Sequence, residues 1–315
     1  MTNHPKRRKN IDVGVDVGKY FLDIAIHEKG LHWQVPNNPD GIKSLLRRLA
    51  HYSVKCLAME ATGRYEFELA QAAHQKGLPV AIIKPLRIRR FAGAINQLAK
   101  TDKIDAAVIA QFAAMTEPAA TPKKSENLIA IRNLTARRRQ LIGMRTQEIN
   151  RQKIMGEALA DSCQRILDAL NAEIELIEAQ LAKQVEAQAQ WQEKQQLLKT
   201  APGVGNTLIY TLLADLPELG SLNNKEVGAL VGVAPINRDS GRQRGKRRIQ
   251  GGRANIRTVL YMATLSATQC NPVIREFYQR LLKQGKHKKV AITACMRKFI
   301  TMLNAMVRDK SVWAY

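Results

Sequence analysis

The sequence predicts an α/β amino-terminal domain followed by a long, mostly helical remainder. Three observations carry that prediction. Runs of β-branched residues alternating with polar ones are confined to about the first quarter of the chain. Residues 126–195 contain no proline and are rich in Glu, Gln, Ala, Leu and Arg. The last part shows helical periodicities broken by glycine turns, and over 236–315 it carries 18 basic residues against 3 acidic ones.

The elements follow in order. Residues 11–28, "IDVGVDVGKYFLDIAIHE", alternate apolar and polar with Gly18-Lys19 near the middle, which predicts two consecutive strands or a hairpin. "LHWQVPNN" at 31–38 predicts a third strand. In "NPDGIKSLLRRLAHY" the spacing of Ile42, Leu45, Leu46 and Leu49 predicts a helix. "VKCLAMEATG" is a short apolar strand ending at Glu60 and a glycine turn, "YEFELAQAAHQKG" a helix stopped by Gly77, and "PVAIIKP" another buried strand. "TDKIDAAVIAQFAAM" is a helix with Thr101 as its N-cap. A ribonuclease-H-like sheet has the resulting β-β-β-α-β-α-β-α order, and so do other α/β folds.

Within 126–195, Cys163, Leu167, Leu170, Ile174, Ile177 and Leu181 are spaced alternately by four and three, the seam of a coiled coil. A helical hairpin and a dimerising coil both satisfy this seam. At 197–219, Pro202-Gly203-Val204-Gly205 separates two helical patterns. Such a turn either exposes N–H groups to a phosphate, as in helix-hairpin-helix DNA-binding motifs, or simply joins two helices. Further helices are expected at about 253–268, 272–284 and 287–307. The expected domains are thus 1–125, 126–195 and 196–315.

The net charge of +23 and pI of about 10.1 call for a polyanionic partner, with nucleic acid first. Contact is expected mainly in 236–315 and secondarily in the amino-terminal region, including the basic "HPKRRKN". Cys56, Cys163, Cys270 and Cys295 are far apart with no zinc spacing and read as reduced thiols of a cytosolic protein. No apolar run of membrane-spanning length or signal-peptide type is evident. Aromatic residues make up 5%, and no stacking platform for single-stranded bases is apparent.

Four carboxylates stand out. Asp16 lies in a strand, with Asp12 on the same face; the flanking Gly14 and Gly18 favour Asp16 by leaving room for a phosphate backbone. Glu60 ends an apolar strand, where a charge is costly unless paired or metal-bound. Asp102 and Asp105 share a face in a first helical turn, and taken by themselves they read equally as ordinary helix-start acids. Together the four can converge on two Mg²⁺ ions that clamp a phosphodiester.

The stretch "PINRDSGRQRGKRR" places Ser240 among Arg238, Arg242, Arg244, Lys246, Arg247 and Arg248, with Arg253 and Arg257 following. On its residues alone Ser240 is either a polar loop residue in a phosphate-gripping segment or a nucleophile. His287 is the one histidine in this block, which disfavours a Ser-His-Asp triad.

"GVDVGK", "MEATGRY", "KTDKIDA" and "APGVG…LLADLPEL…LVGVAP…DSGRQRGKRRIQGGRANIRTVLYMA" occur in this order and span nearly the whole chain. In them the sequence resembles DEDD-type insertion-sequence transposases of the IS one-ten group, nearest its IS eleven-eleven branch. The resemblance implies a RuvC-like amino-terminal domain whose Asp16, Glu60, Asp102 and Asp105 bind Mg²⁺. It also implies a coiled-coil linker and a carboxy-terminal transposase domain with Ser240 as nucleophile. A structured non-coding bridge RNA would pair with donor and target double-stranded DNA. The protein would act in the bacterial cytoplasm, at the nucleoid, as a dimer and, in synapsis, a tetramer. One protomer's carboxylates would meet another's serine, and strands would exchange through a 5′-phosphoserine. Where members of the family often have Lys, this chain has Gly251-Gly252-Arg253, and Arg253 is expected to keep the basic role. The alternatives are a RuvC-type nuclease that uses water, which keeps the carboxylates and drops the serine, and a non-catalytic nucleic-acid-binding protein.

Overall fold

The computed structural model describes residues 10–97, 99, 101–237, 239–241, 245 and 247–314. It divides into two compact units, Met1–Lys124 and Ser125–Tyr315.

The first unit is built on a five-stranded sheet of order β3-β2-β1-β4-β5: β1 (Asn10–Val17), β2 (Phe21–Ile26), β3 (Leu31–Pro36), β4 (Ser53–Glu60) and β5 (Val80–Ile83). β1, β2 and β3 are joined antiparallel, while β4 runs parallel to β1 and β5 parallel to β4. The turn at Gly18 is closed by the Gly18 N–H donating to the Phe21 carbonyl at 2.9 Å.

The two faces of the sheet differ in side-chain size, and that difference positions the site. On one face Ile11, Val13, Val15, Leu22, Ile24, Leu57 and Met59 form a bulky apolar layer covered by α1 (Pro39–Leu49) and α2 (Phe67–Gln75). The other face presents Gly14, Ala25, Ala58 and Ala81, against which α3 (Pro85–Ala94) and α4 (Asp102–Thr116) pack. Ala106 and Ala110 of α4 are fully buried there. Small residues on both partners let the helix axis approach the sheet closely. Helix α3 is missing from the sequence reading. Ile88 is its one buried residue, so its apolar periodicity is faint, although Pro85 at its start is a fair signal.

In the second unit, the stretch expected to be helical forms three helices. α5 (Glu126–Met155) ends at Gly156, whose φ of 71° is left-handed. α6 (Ala160–Glu186) then returns antiparallel, and α7 (Ala189–Lys199) follows after a break at 187–188. The register is set by Arg138 donating to Glu178 at 2.8 Å, Arg145 to Asn171 at 3.2 Å and Gln152 to Gln164 at 3.3 Å. The seam at Cys163, Leu167, Ile174 and Leu181 is buried in this hairpin, so a partner for it exists within the same chain.

Ile131, Leu181, Val185 and Leu198 share one core with α8 (Asn206–Asp215), α9 (Asn224–Val231), α10 (Ala254–Cys270), α11 (Pro272–Lys283) and α12 (Lys288–Asp309). The root of the hairpin and the carboxy-terminal helices therefore form one body, without a compact boundary near residue 195. α12 is long and apolar enough to cross a membrane, but its buried face, including Phe299, Ile300 and Leu303, belongs to this core. Among the described residues the four cysteines are free thiols, three buried and Cys270 exposed.

Candidate active site

The carboxylate site is assembled at the carboxyl ends of two adjacent parallel strands. Val15 pairs with Met59, so Asp16 and Glu60, the next residues of β1 and β4, lie side by side. Both are half-buried. α4 crosses this end of the sheet and brings the first-turn residues Asp102 and Asp105 to it. Thr101 fixes the helix start by accepting the Ile104 N–H at 3.3 Å. The helix comes this close because of Gly14: a β-carbon there would collide with the backbone of Ala106 and Ala110. The role expected for Gly14, room for a phosphate, is thus replaced by room for a helix.

The electrostatics of Asp16 reflect these neighbours. Burial pushes the Asp16 carboxyl up to about 6, and the charges of Asp105, Asp102, Glu60 and Asp23 add to the rise in that order. Asp12, which shares the face of Asp16, belongs elsewhere. It is buried and faces Glu28, whose carboxylate accepts the Asp12 N–H at 2.9 Å; burial and this neighbour raise its pKa.

A fifth carboxylate was not singled out in the sequence. Asp23 lies opposite Asp16 in the β1–β2 register and is buried. His32 Nε2 sits 3.1 Å from one of its oxygens, and Gln34 donates to the other at 2.9 Å. Like charges facing each other across strands are destabilising, and these two β3 side chains offset that by holding the inner carboxylate. The available signal was an aspartate between apolar residues in "FLDIAI", with His32 and Gln34 at matching alternation on the next strand. The same end of the unit exposes three aromatic residues. Tyr20, Phe21 and Tyr65 are 67%, 51% and 48% exposed. Asn37 ties their loops together, donating to the Gly18 carbonyl at 2.8 Å and the Tyr65 carbonyl at 3.3 Å.

Ser240 lies in the second unit, on the loop between the short strands β6 (Pro235–Ile236) and β7 (Arg248–Ile249). Its base is a backbone crossing. Gly232 and Gly252, at φ 81° and 71°, touch so closely that a β-carbon on either would strike the other segment. The Arg253 N–H donates to the Leu230 carbonyl at 2.8 Å, and the Arg257 guanidinium donates to the Gly251 carbonyl at 2.6 Å. Within the loop, the Asp239 carboxylate accepts the Gly245 N–H at 3.2 Å. Ser240 itself is exposed. The glycines of "LVGVAP" and "QGGRAN" thus serve one purpose: they close the hairpin that presents the serine.

Two family models match. A DEDD-type transposase model covers residues 13–155, including all four candidate carboxylates, and a model of the "Transposase IS116/IS110/IS902 family" covers residues 195–279, including Ser240. The chain belongs to the IS110 family of transposases. Relatives matched over nearly their whole length agree with this. A pilin gene-inverting protein of Moraxella bovis is 28% identical over 311 residues, covering 94% of this chain and 95% of the relative. An insertion element IS116 protein of Streptomyces clavuligerus is 23% identical, covering 98% and 97%.

The transposase is accordingly a DNA-recombining enzyme of insertion-sequence type. Its basic residues divide into two sets. Arg247 and Arg248 are exposed. Arg253 is engaged inside the transposase: its guanidinium grips Glu218 at 2.6 and 2.7 Å and donates to the Asp215 carbonyl at 2.6 Å. The Glu218 carboxyl is held below its usual range by that bond. Arg257 is likewise used to brace the hairpin. Arg238, Arg242, Arg244 and Lys246 lie outside the described residues. The Gly203 turn is explained by packing, since a β-carbon there would strike Ala267 of α10.

The donor set fits a hard divalent cation, being all carboxylate oxygen, with Asp16 left uncomfortable by its like-charged neighbours. Among the described residues no three acidic, His or Cys side chains close into a coordination shell, so the convergence is one of charge.

Proposed function

We propose that this transposase cuts and rejoins DNA strands through a serine-linked intermediate under the direction of a bridge RNA. The observation that carries the reading is the gathering of Asp16, Glu60, Asp102 and Asp105 at the ends of β1 and β4, where burial first and the neighbouring carboxylates second push Asp16 up to about 6. The strand order and the packing of α4 are compatible with a RuvC-like, ribonuclease-H-like unit and support that reading. Asp16, Glu60, Asp102 and Asp105 would hold Mg²⁺, as two ions. Bound there, the metal would neutralise charge developing on the scissile phosphate.

Ser240 supplies the nucleophile. Its Oγ bonds to phosphorus as the hydroxyl gives up its proton, the bond from phosphorus to the 3′-oxygen breaks, and the 3′-oxygen takes up a proton in exchange and leaves as a 3′-hydroxyl. The phosphodiester energy is retained in the 5′-phosphoserine, so attack by a new 3′-hydroxyl reseals DNA without a nucleotide cofactor. The exposure of Ser240 on a braced hairpin supports this role. Composite sites, in which one protomer's carboxylates meet another's serine, require an oligomer, a dimer that pairs into a tetramer. The pilin gene-inverting relative fits the same chemistry, since inverting a gene requires cutting and rejoining at two places. The net charge of +23 supports simultaneous binding of RNA with donor and target DNA.

The test is strand cleavage on labelled element-end DNA with the guide RNA transcribed from the flanking element. Asp102→Asn is expected to abolish metal-dependent cleavage. Ser240→Ala is expected to bind DNA and to form no covalent species on a denaturing gel. Cleavage with free ends in Ser240→Ala would instead establish a water-dependent nuclease.

A further inference from the structure

The second unit contains a cleft of about 500 Å³ between the β6–β7 hairpin and the first half of α12. Its floor and walls are apolar, from Val233, Ile249, Val290 and Ala294. Its rim is cationic, from Arg247, Arg248, Lys289 and Arg297. Among the described residues no acidic side chain lines it.

Three features indicate an anionic occupant. Among the described residues, none of the four cations forms an ion pair or donates a side-chain hydrogen bond, in contrast to Arg253 and Arg257. Arg297 is moreover half-buried, its stem Cγ 3.8 Å and its guanidinium Nε 3.6 Å from the position a β-carbon on Gly228 would take. A half-buried guanidinium without a partner is costly and is relieved by a phosphate, which its fork matches. Finally, α12 opens with Lys288 and Lys289 in its first turn and with no side-chain cap at His287. Cations there oppose the helix dipole, and an anion at that position reverses the sign.

The apolar floor adds a second requirement. Val290 is 55% exposed and Ile249 37%, so the occupant also offers a hydrophobic surface. A nucleotide has both, a phosphate and a flat base. A duplex hides its base faces, so the nucleotide is unpaired. Because the hairpin forming one wall carries Ser240, the strand in the cleft is the DNA strand that serine attacks.

We propose that this cleft receives an unpaired nucleotide of the DNA strand presented to Ser240, the base on the Val233–Ile249–Val290 floor and flanking phosphates on the four cations. The commitment to DNA rests on the serine-nucleophile reading above; the nucleotide chemistry rests on the cleft.

The test titrates full-length protein against single-stranded DNA carrying 2-aminopurine, whose fluorescence reports removal of the base from its neighbours. Val290→Trp fills the mouth without changing charge and, at an exposed position, leaves the fold intact. It is expected to weaken binding about tenfold, near 1.4 kcal/mol, and to abolish the fluorescence change. Arg297→Ala is expected to weaken binding by a similar factor and to lower the slope of log affinity against log salt by about one. Lys310→Ala, which removes an outlying pair with Glu193, is the control and is expected to change neither. Wild-type affinity and signal in Val290→Trp overturn the proposal, as does an RNA oligonucleotide of the same sequence displacing the DNA at lower concentration. The two readings fail separately. Base insertion without a Ser240 adduct sinks the nucleophile and leaves the cleft; an adduct with no effect of Val290→Trp does the reverse.

Discussion

Gly14→Ala perturbs the site without touching any functional group. The added methyl points into the Ala106 carbonyl and Ala110 amide of α4, and the obstacle is backbone, which cannot rotate away. Overpacking of this kind costs about 3 kcal/mol, the upper part of its usual range. For a unit of this size that corresponds to a fall of roughly 10 °C in melting temperature. The helix escapes by moving outward, and Asp102 and Asp105 move with it. A displacement of about 1 Å costs on the order of a hundredfold in rate. The comparison is Gly18→Ala, whose β-carbon would lie 3.1 Å from the Phe21 carbonyl, a contact that a small shift relieves. Thermal melting and single-turnover cleavage of element-end DNA read both effects. If Gly14→Ala melts and cleaves like wild type while α4 stays in place, close helix packing is not what assembles the carboxylates.

Other expectations follow from the same structure. The folded Asp16 holds its proton up to about pH 6, whereas its ordinary value is 3.8. Its contribution to stability is therefore full below pH 3.8, declines between the two values as pH rises, and is gone above about 6. Mg²⁺ has the opposite dependence, so thermal stabilisation by Mg²⁺ is expected to grow as pH passes 6; a flat profile from about pH 5 to 8 would count against the site. Asp23→Asn removes one like charge and is expected to move that midpoint downward, visible by NMR titration of Asp16. Arg253→Ala is expected to destabilise the second unit by about 1 kcal/mol, a modest figure because the pair is partly exposed, while leaving the salt dependence of DNA binding unchanged. A lower salt slope in that variant would return Arg253 to the DNA-contacting set.

The strands and most helices of the first unit were legible because each buries one face and so repeats at its own period. Glu60 stood out as a charge placed where charge is costly, at the end of "CLAME", and Asp16 through the glycines around it in "VGVDVG". What could not be read was the reason for Gly14. Its partner atoms lie on α4, more than ninety residues away in the chain, and no local pattern encodes that approach. Asp23 was passed over because its meaning depends on strand register, which sets it opposite Asp16. The seam over 163–181 gave the apolar stripe of α6 but left its partner open; Gly156 reverses the chain and supplies α5. Arg253 looked like a phosphate contact because a basic run continues into it, yet Glu218, 35 residues earlier, takes its guanidinium.

The central claim is that Ser240 becomes bonded to DNA. The direct measurement is mass spectrometry of the protein after reaction with element-end DNA, guide RNA and Mg²⁺, followed by nuclease and protease digestion. The account predicts a residual nucleotide on the peptide containing Ser240, through a 5′-phosphate, and no such adduct in Ser240→Ala or Asp102→Asn. Cleaved DNA with no peptide adduct, or an adduct on another residue, would contradict it.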